Sequence, residues 1–167
     1  MQELAGIENH PMKGQYPCRL PVWWARHGSV HKDPNERGVS GRKIILQIVK
    51  NFKKFERWVA KILRAPKILR RPLDQMNSTL WELCDGSRTF AEICVVMNEM
   101  YQEEIAPVIA RTSVAVSLLS SHNLMVVLEE PLNHRWRVGP GLIPEYHELE
   151  ISENDAYDLE LLAGETP

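Results

Sequence analysis

Cysteine is scarce in this chain: three of 167 residues, Cys18, Cys84 and Cys94, in unrelated settings. Three scattered thiols do not make a disulfide framework. Long apolar runs are missing as well. The most aliphatic stretch, Lys43 to Val49, falls far short of the roughly 20 residues that span a bilayer. The first ten residues lack the basic-then-apolar order of a signal peptide. No Gly-rich phosphate loop, nucleophile elbow or paired-carboxylate arrangement stands out, so neither an enzyme nor a bound cofactor is expected. His27 and His31 are four apart, and Cys18 makes a third donor, but Gly28 and the turn-rich setting deny them a helix face. A closed zinc site wants four ligands, so no metal is expected. The expectation is a soluble cytoplasmic protein.

What is present is an ordinary globular composition, 44% hydrophobic and 25% charged, enough for one domain with appendages. The net charge of −2 excludes a generally basic nucleic-acid coat, but charge is placed unevenly. From Arg42 to Arg71 eleven Lys or Arg face one acid, Glu56; from Glu145 to Glu165 there are eight acids and no Lys or Arg. That polarity says more than the total.

Residues 1–40 form an N-terminal extension rich in turn formers and partly irregular. Its exception is Leu20 to Arg26, an edge strand or anchor segment, since Pro21 argues against a central strand. Lys43 to Val49 reads as a strand. From Asn51 the period changes: Phe52, Phe55, Val59, Ile62 and Leu63 recur at helical steps among cations, giving a basic amphipathic helix over 51–64. Lys67 to Pro72 reads as a short strand. Three helices follow. Asp74 or Asn77 caps the first, which ends at Asp85-Gly86. Thr89 and Glu92 form a capping box for the second. Pro107 lies near the first turn of the third, and His122-Asn123 closes it. Leu124 to Leu128 and Arg135 to Val138 read as a hairpin around Pro131 to His134. Residues 141–167 read as a flexible acidic tail. The fold class is α+β: a winged-helix-like domain over 41–140, with a small antiparallel sheet and a three-helix bundle.

The run Leu73-Asp-Gln-Met-Asn-Ser-Thr-Leu-Trp-Glu-Leu-Cys-Asp-Gly86, followed by Arg88-Thr89 and Glu92-Ile93, resembles the PqqD family. Its members are peptide-binding proteins of pyrroloquinoline quinone biosynthesis and belong to the wider class of RiPP recognition elements. The matching positions are Asn77, Trp81, Leu83, Asp85-Gly86, Arg88-Thr89, Glu92-Ile93, Leu119 and Asn123-Leu124-Met125, spanning roughly 66–128. Lys43 to Val49 stands for an earlier family strand. Three features depart from the pattern: the basic helix between two strands, Arg111 where an acid is expected, and Asn123 in place of Gly.

The resemblance implies a binding module with no catalytic step. A leader peptide would add as a strand to the sheet edge and pack on the third helix, by β-augmentation. The edge candidates are Lys67, Ile68, Leu69, Arg70 and Arg71, whose cations suit an acidic peptide; the plain alternative is that they guard the edge against aggregation. Arg111, Val114 and Leu118 would form the socket wall, unless they pack on the N-terminal segment or the hairpin. The implied partners are a precursor leader peptide and a modifying enzyme such as a radical S-adenosylmethionine protein. The basic helix has three readings: a solvated face, an extended surface for an anionic peptide, or a membrane-surface helix. DNA binding is not expected, because the third helix offers Arg111 and otherwise serines and small apolar residues. The alternative from another class is a winged-helix regulator or scaffold binding protein or nucleic acid. The acidic, Leu-rich tail has two readings, a solubilising segment or a tethered pseudo-leader that fills the groove.

Overall fold

Two adjacent tryptophans anchor the first sheet. In the computed structural model, which describes residues 4–49, 68–143, 156–165 and 167, Trp23 and Trp24 begin β2 (Trp23–His27). Neighbouring strand residues face opposite ways, so burial of both indoles means that both faces of β2 are covered. Trp24 meets Trp81 edge-on at 6.4 Å in the main core. Trp23 meets Tyr157 at 5.6 Å on the other face. β2 pairs antiparallel with β3 (Lys43–Val49), and β3 with β4 (Ile68–Pro72), in the order β2-β3-β4. β2 is thus the edge strand that Leu20 to Arg26 foreshadowed, with Pro21 left outside the ladder. The preceding strand β1 (Tyr16–Arg19), in a stretch read as irregular, belongs to a second sheet.

The helices form where cap chemistry places them. α1 (Gln75–Leu83) starts at Asp74, whose carboxylate accepts from the Asn77 N–H at 2.8 Å. It ends before Gly86, at φ +78°. A Cβ there would lie 2.7 Å from Leu132 Cβ and 2.8 Å from Cys18 Sγ, so only glycine fits. α2 (Phe90–Tyr101) opens with the reciprocal Thr89–Glu92 capping box. α3 (Val108–Ser121) follows Pro107, which is its N-cap, and turns Val108, Thr112, Val116 and Leu119 inward. Asn123, at φ 57°, takes the left-handed position after it. Leu80, Trp81, Phe90, Ile93, Val116 and Leu119 meet Ile44 and Leu46 of the sheet in one core.

The expected hairpin is absent. β5 (Met125–Leu128) pairs antiparallel with β1, from Tyr16 opposite Leu128 to Arg19 opposite Met125. Residues 135–138 form no strand. Asn133 and His134 turn through φ 48° and 58°, and Leu132 donates to the Gly86 carbonyl. Val138 then accepts from Arg19 Nε and Trp24 Nε1. An apolar segment states that it needs a strand partner, not which one; pairing with the distant β1 packs Val126 and Leu128 against the cluster of Cys18, Leu132 and Val138. The fold is α+β, with three α-helices and two small antiparallel sheets among the described residues. The predicted basic helix over 51–64 lies outside the described residues, and among those described no helix is long and apolar enough to cross a membrane.

Candidate functional site

α3 turns an exposed apolar pair outward. Val114 is 67% exposed and Leu118 is 51% exposed. Four residues apart, they stack one turn above the other. With Met76, Leu80, Met97 and Ile105 they line a groove of ≈ 430 Å³ between α1, α2 and α3. Arg111 stands at its rim, one turn before Val114, and its Nη1 donates to the Glu104 carbonyl at 2.8 Å. Asp74 and Asn77 supply further polar rim groups. Three of the predicted site residues, Arg111, Val114 and Leu118, are therefore brought together at one groove. Among the described residues they pack on neither the N-terminal segment nor a hairpin.

The predicted edge is also a sheet edge. β4 bonds β3 on one side, with Arg71 opposite Leu46, Arg70 opposite Gln47, Leu69 opposite Ile48 and Ile68 opposite Val49. Its other side pairs with no strand among the described residues. Lys67 lies outside them. Arg70 is exposed. Arg71 Nη1 lies 3.3 Å from His122 Nδ1, so the edge strand touches the residue that closes α3. β4 and the helix carrying the groove are therefore neighbours.

Sequence reading missed the methionine lining: Met76 and Met97 sit on the groove, and their unbranched side chains adapt to a varied ligand. It also missed a buried charge cluster. Arg26, in β2, is fully buried and its Nε donates to Glu82 on α1 at 2.6 Å. Glu82 also accepts from the Ser40 N–H at 3.0 Å. The available signal was an ion of each sign inside an apolar run, Trp-Trp-Ala-Arg26 and Leu-Trp-Glu82-Leu, since a buried ion needs a partner. Burial pushes the Glu82 carboxyl above the usual carboxylate range, against the pull of Arg26.

The thiols are sequestered: burial pushes Cys18 and Cys94 up to about 12 and raises Cys84 as well. At neutral pH they are protonated and weak nucleophiles. Among the described residues no group of three or more His, Cys, Asp and Glu is placed to hold a metal ion. The tail, read as flexible, is docked over 156–165. Asp158 bridges Arg26 on the outer edge of β2, the opposite edge of the sheet from β4, so this stretch does not fill the groove. No family model, curated protein or solved structure matches this chain.

Proposed function

We propose that this chain is a non-catalytic peptide-binding protein with a winged-helix-like, PqqD-like core. It takes the leader segment of a ribosomally made precursor and presents it, in the cytoplasm, to a separate modifying enzyme such as a radical S-adenosylmethionine protein. The observation that carries this reading is the exposed pair Val114 and Leu118 over an apolar groove, on the helix whose end touches β4, a strand with one edge unpaired among the described residues. An edge strand provides backbone donors and acceptors in register, and a socket beside it selects side chains. Covering each exposed aliphatic side chain is worth about 1–2 kcal/mol. Arg70, Arg71 and Arg111 favour an acidic partner and make binding weaken with salt. A DNA-reading helix would present Arg, Lys, Asn or Gln at these outward positions, where α3 has Val and Leu.

The test is a display selection of random 16-residue peptides against the full chain. Acidic sequences with alternating apolar residues are expected. Their affinity should fall at least tenfold when Val114 and Leu118 are both changed to Asp, and again with Arg71→Glu. Hydrogen exchange should slow at β4 and α3 when peptide is added. Selected peptides that ignore all three substitutions would sink the reading.

A further inference from the structure

The outer edge of β2 is covered by the chain's own C-terminal segment, and the cover is thin. On its inner side β2 pairs with β3 along five residue pairs. On its outer side, among the described residues, there is one bridge, in which the Arg26 N–H donates to the Asp158 carbonyl at 3.1 Å and the Asp158 N–H donates back at 2.9 Å, and one further backbone bond, from the Gly141 N–H to the Trp24 carbonyl at 2.9 Å. Side chains add to these. Of the buried Arg26 guanidinium, Nη1 donates to the Glu160 carbonyl at 3.0 Å and Nη2 to the Glu165 carboxylate at 2.8 Å. Arg42 Nη1 donates to the Asp158 carboxylate at 2.7 Å. Tyr157 sets its ring against Trp23. Gly164, at φ +76°, passes so close to Arg37 that a Cβ would lie 2.9 Å from its side chain. Leu159 and Leu161 nevertheless remain 42% and 51% exposed. A few read-out contacts on a strand edge, with modest burial, are how short peptide segments are recognised.

We propose that the outer edge of β2 is a peptide-recognition site for an acidic strand of a partner protein, and that residues 156–165 are its resident, exchangeable ligand. The segment itself spells the motif: an aromatic–Asp pair, five residues, then Gly–Glu, as Tyr157-Asp158 and Gly164-Glu165. The buried guanidinium sets the specificity. The resident segment brings a carboxylate to Nη2 and a carbonyl to Nη1, so an occupant that replaces it and buries the guanidinium again must bring the same two acceptors. This inference is independent of the α3 groove, which lies toward the other edge of the sheet.

The experiment uses the full chain with a specific protease site inserted between Leu149 and Glu150. After cleavage, a fluorescein-labelled peptide of residues 156–167 is titrated and followed by anisotropy, with tryptophan fluorescence reporting the fold. Saturable binding is expected to the cleaved chain. Binding to the uncleaved chain should be at least tenfold weaker, because a tether holds the resident segment at an effective concentration on the order of mM. A peptide carrying Asp158→Asn and Glu165→Gln should bind at least tenfold more weakly, as should the cleaved Arg42→Glu chain. Equal binding of a scrambled peptide would overturn the proposal. So would a folded cleaved chain that takes up no peptide, or a cleaved chain that loses its fold, which would make the segment a permanent part of the sheet.

Discussion

Glycine and cysteine carry the sharpest single-residue consequences. Gly86→Ala combines a left-handed backbone with contacts under 3 Å to Leu132 and Cys18, and should cost about 3 kcal/mol. Gly28→Ala, at φ +74° with nothing within 4 Å, isolates the backbone part and should cost about 1 kcal/mol. Urea melts of the two variants check the difference; equal losses would remove the steric argument. The thiols make stability depend on pH. A buried thiol held up to about 12, like Cys94, keeps its proton in the fold while the unfolded chain releases it near its ordinary value of 9.0. Its contribution is whole below pH 9 and is lost as pH rises toward 12, with a slope of about 1.4 kcal/mol per pH unit per thiol. Reduced Cys94→Ala should therefore lose stability less steeply than the parent between pH 9 and 11, by about one thiol's slope, in urea titrations at each pH.

At the scale of elements, the helices were legible because their signals are local. The Thr89 hydroxyl accepts from the Glu92 N–H, three residues away, and the inward stripe of α2 recurs every third or fourth residue. Thr89→Ala should cost about 1 kcal/mol, and Thr89→Ser almost nothing, by thermal or urea unfolding. The outward face of α3 was legible in the same way: Val114 and Leu118 fall off the stripe that carries Val108, Thr112, Val116 and Leu119. The strands β2 to β5 were legible only as segments, and β1 was not legible at all. Met125 to Leu128 announced a strand, but its partner β1 comes more than a hundred residues earlier, and nothing in the local pattern names it. β4 was read as a strand from its bounding proline and as a sheet edge only through the family resemblance, and its place outside β3 follows from the ladder.

For the whole molecule, the decisive groups are buried arginines that tie distant segments together. Arg19 gives Nε to the Val138 carbonyl and Nη1 to the Trp81 and Glu82 carbonyls at the end of α1, so it closes a helix and holds a loop. Arg19 and Arg26 both lie 4.9 Å from the Trp24 ring, one on the strand of each sheet. Arg26→Met leaves the carboxylates of Glu82 and Glu165 without their counter-charge, at side-chain exposures of 0% and 2%. It should cost about 3–5 kcal/mol. Adding Glu82→Gln should restore part of that loss, a non-additivity that a double-mutant cycle in urea measures directly. Strict additivity would mean that the pair is not coupled.

The sequence by itself determined the helices α1 to α3, their caps, the segments of β2 to β5 and the outward apolar pair on α3, because each rests on spacing within one or two turns. It also carried the charge polarity that suits an acidic peptide strand. Only the tertiary structure decided that β5 pairs with β1, that β2 and β4 are opposite edges of one sheet, and that residues 156–165 lie on the first of these edges. It alone brought Arg26 to Glu82 and Glu165. Those choices depend on which distant surfaces cover one another and on which buried ions find partners. Such terms are settled by competition among segments across the whole chain, so no local pattern encodes them.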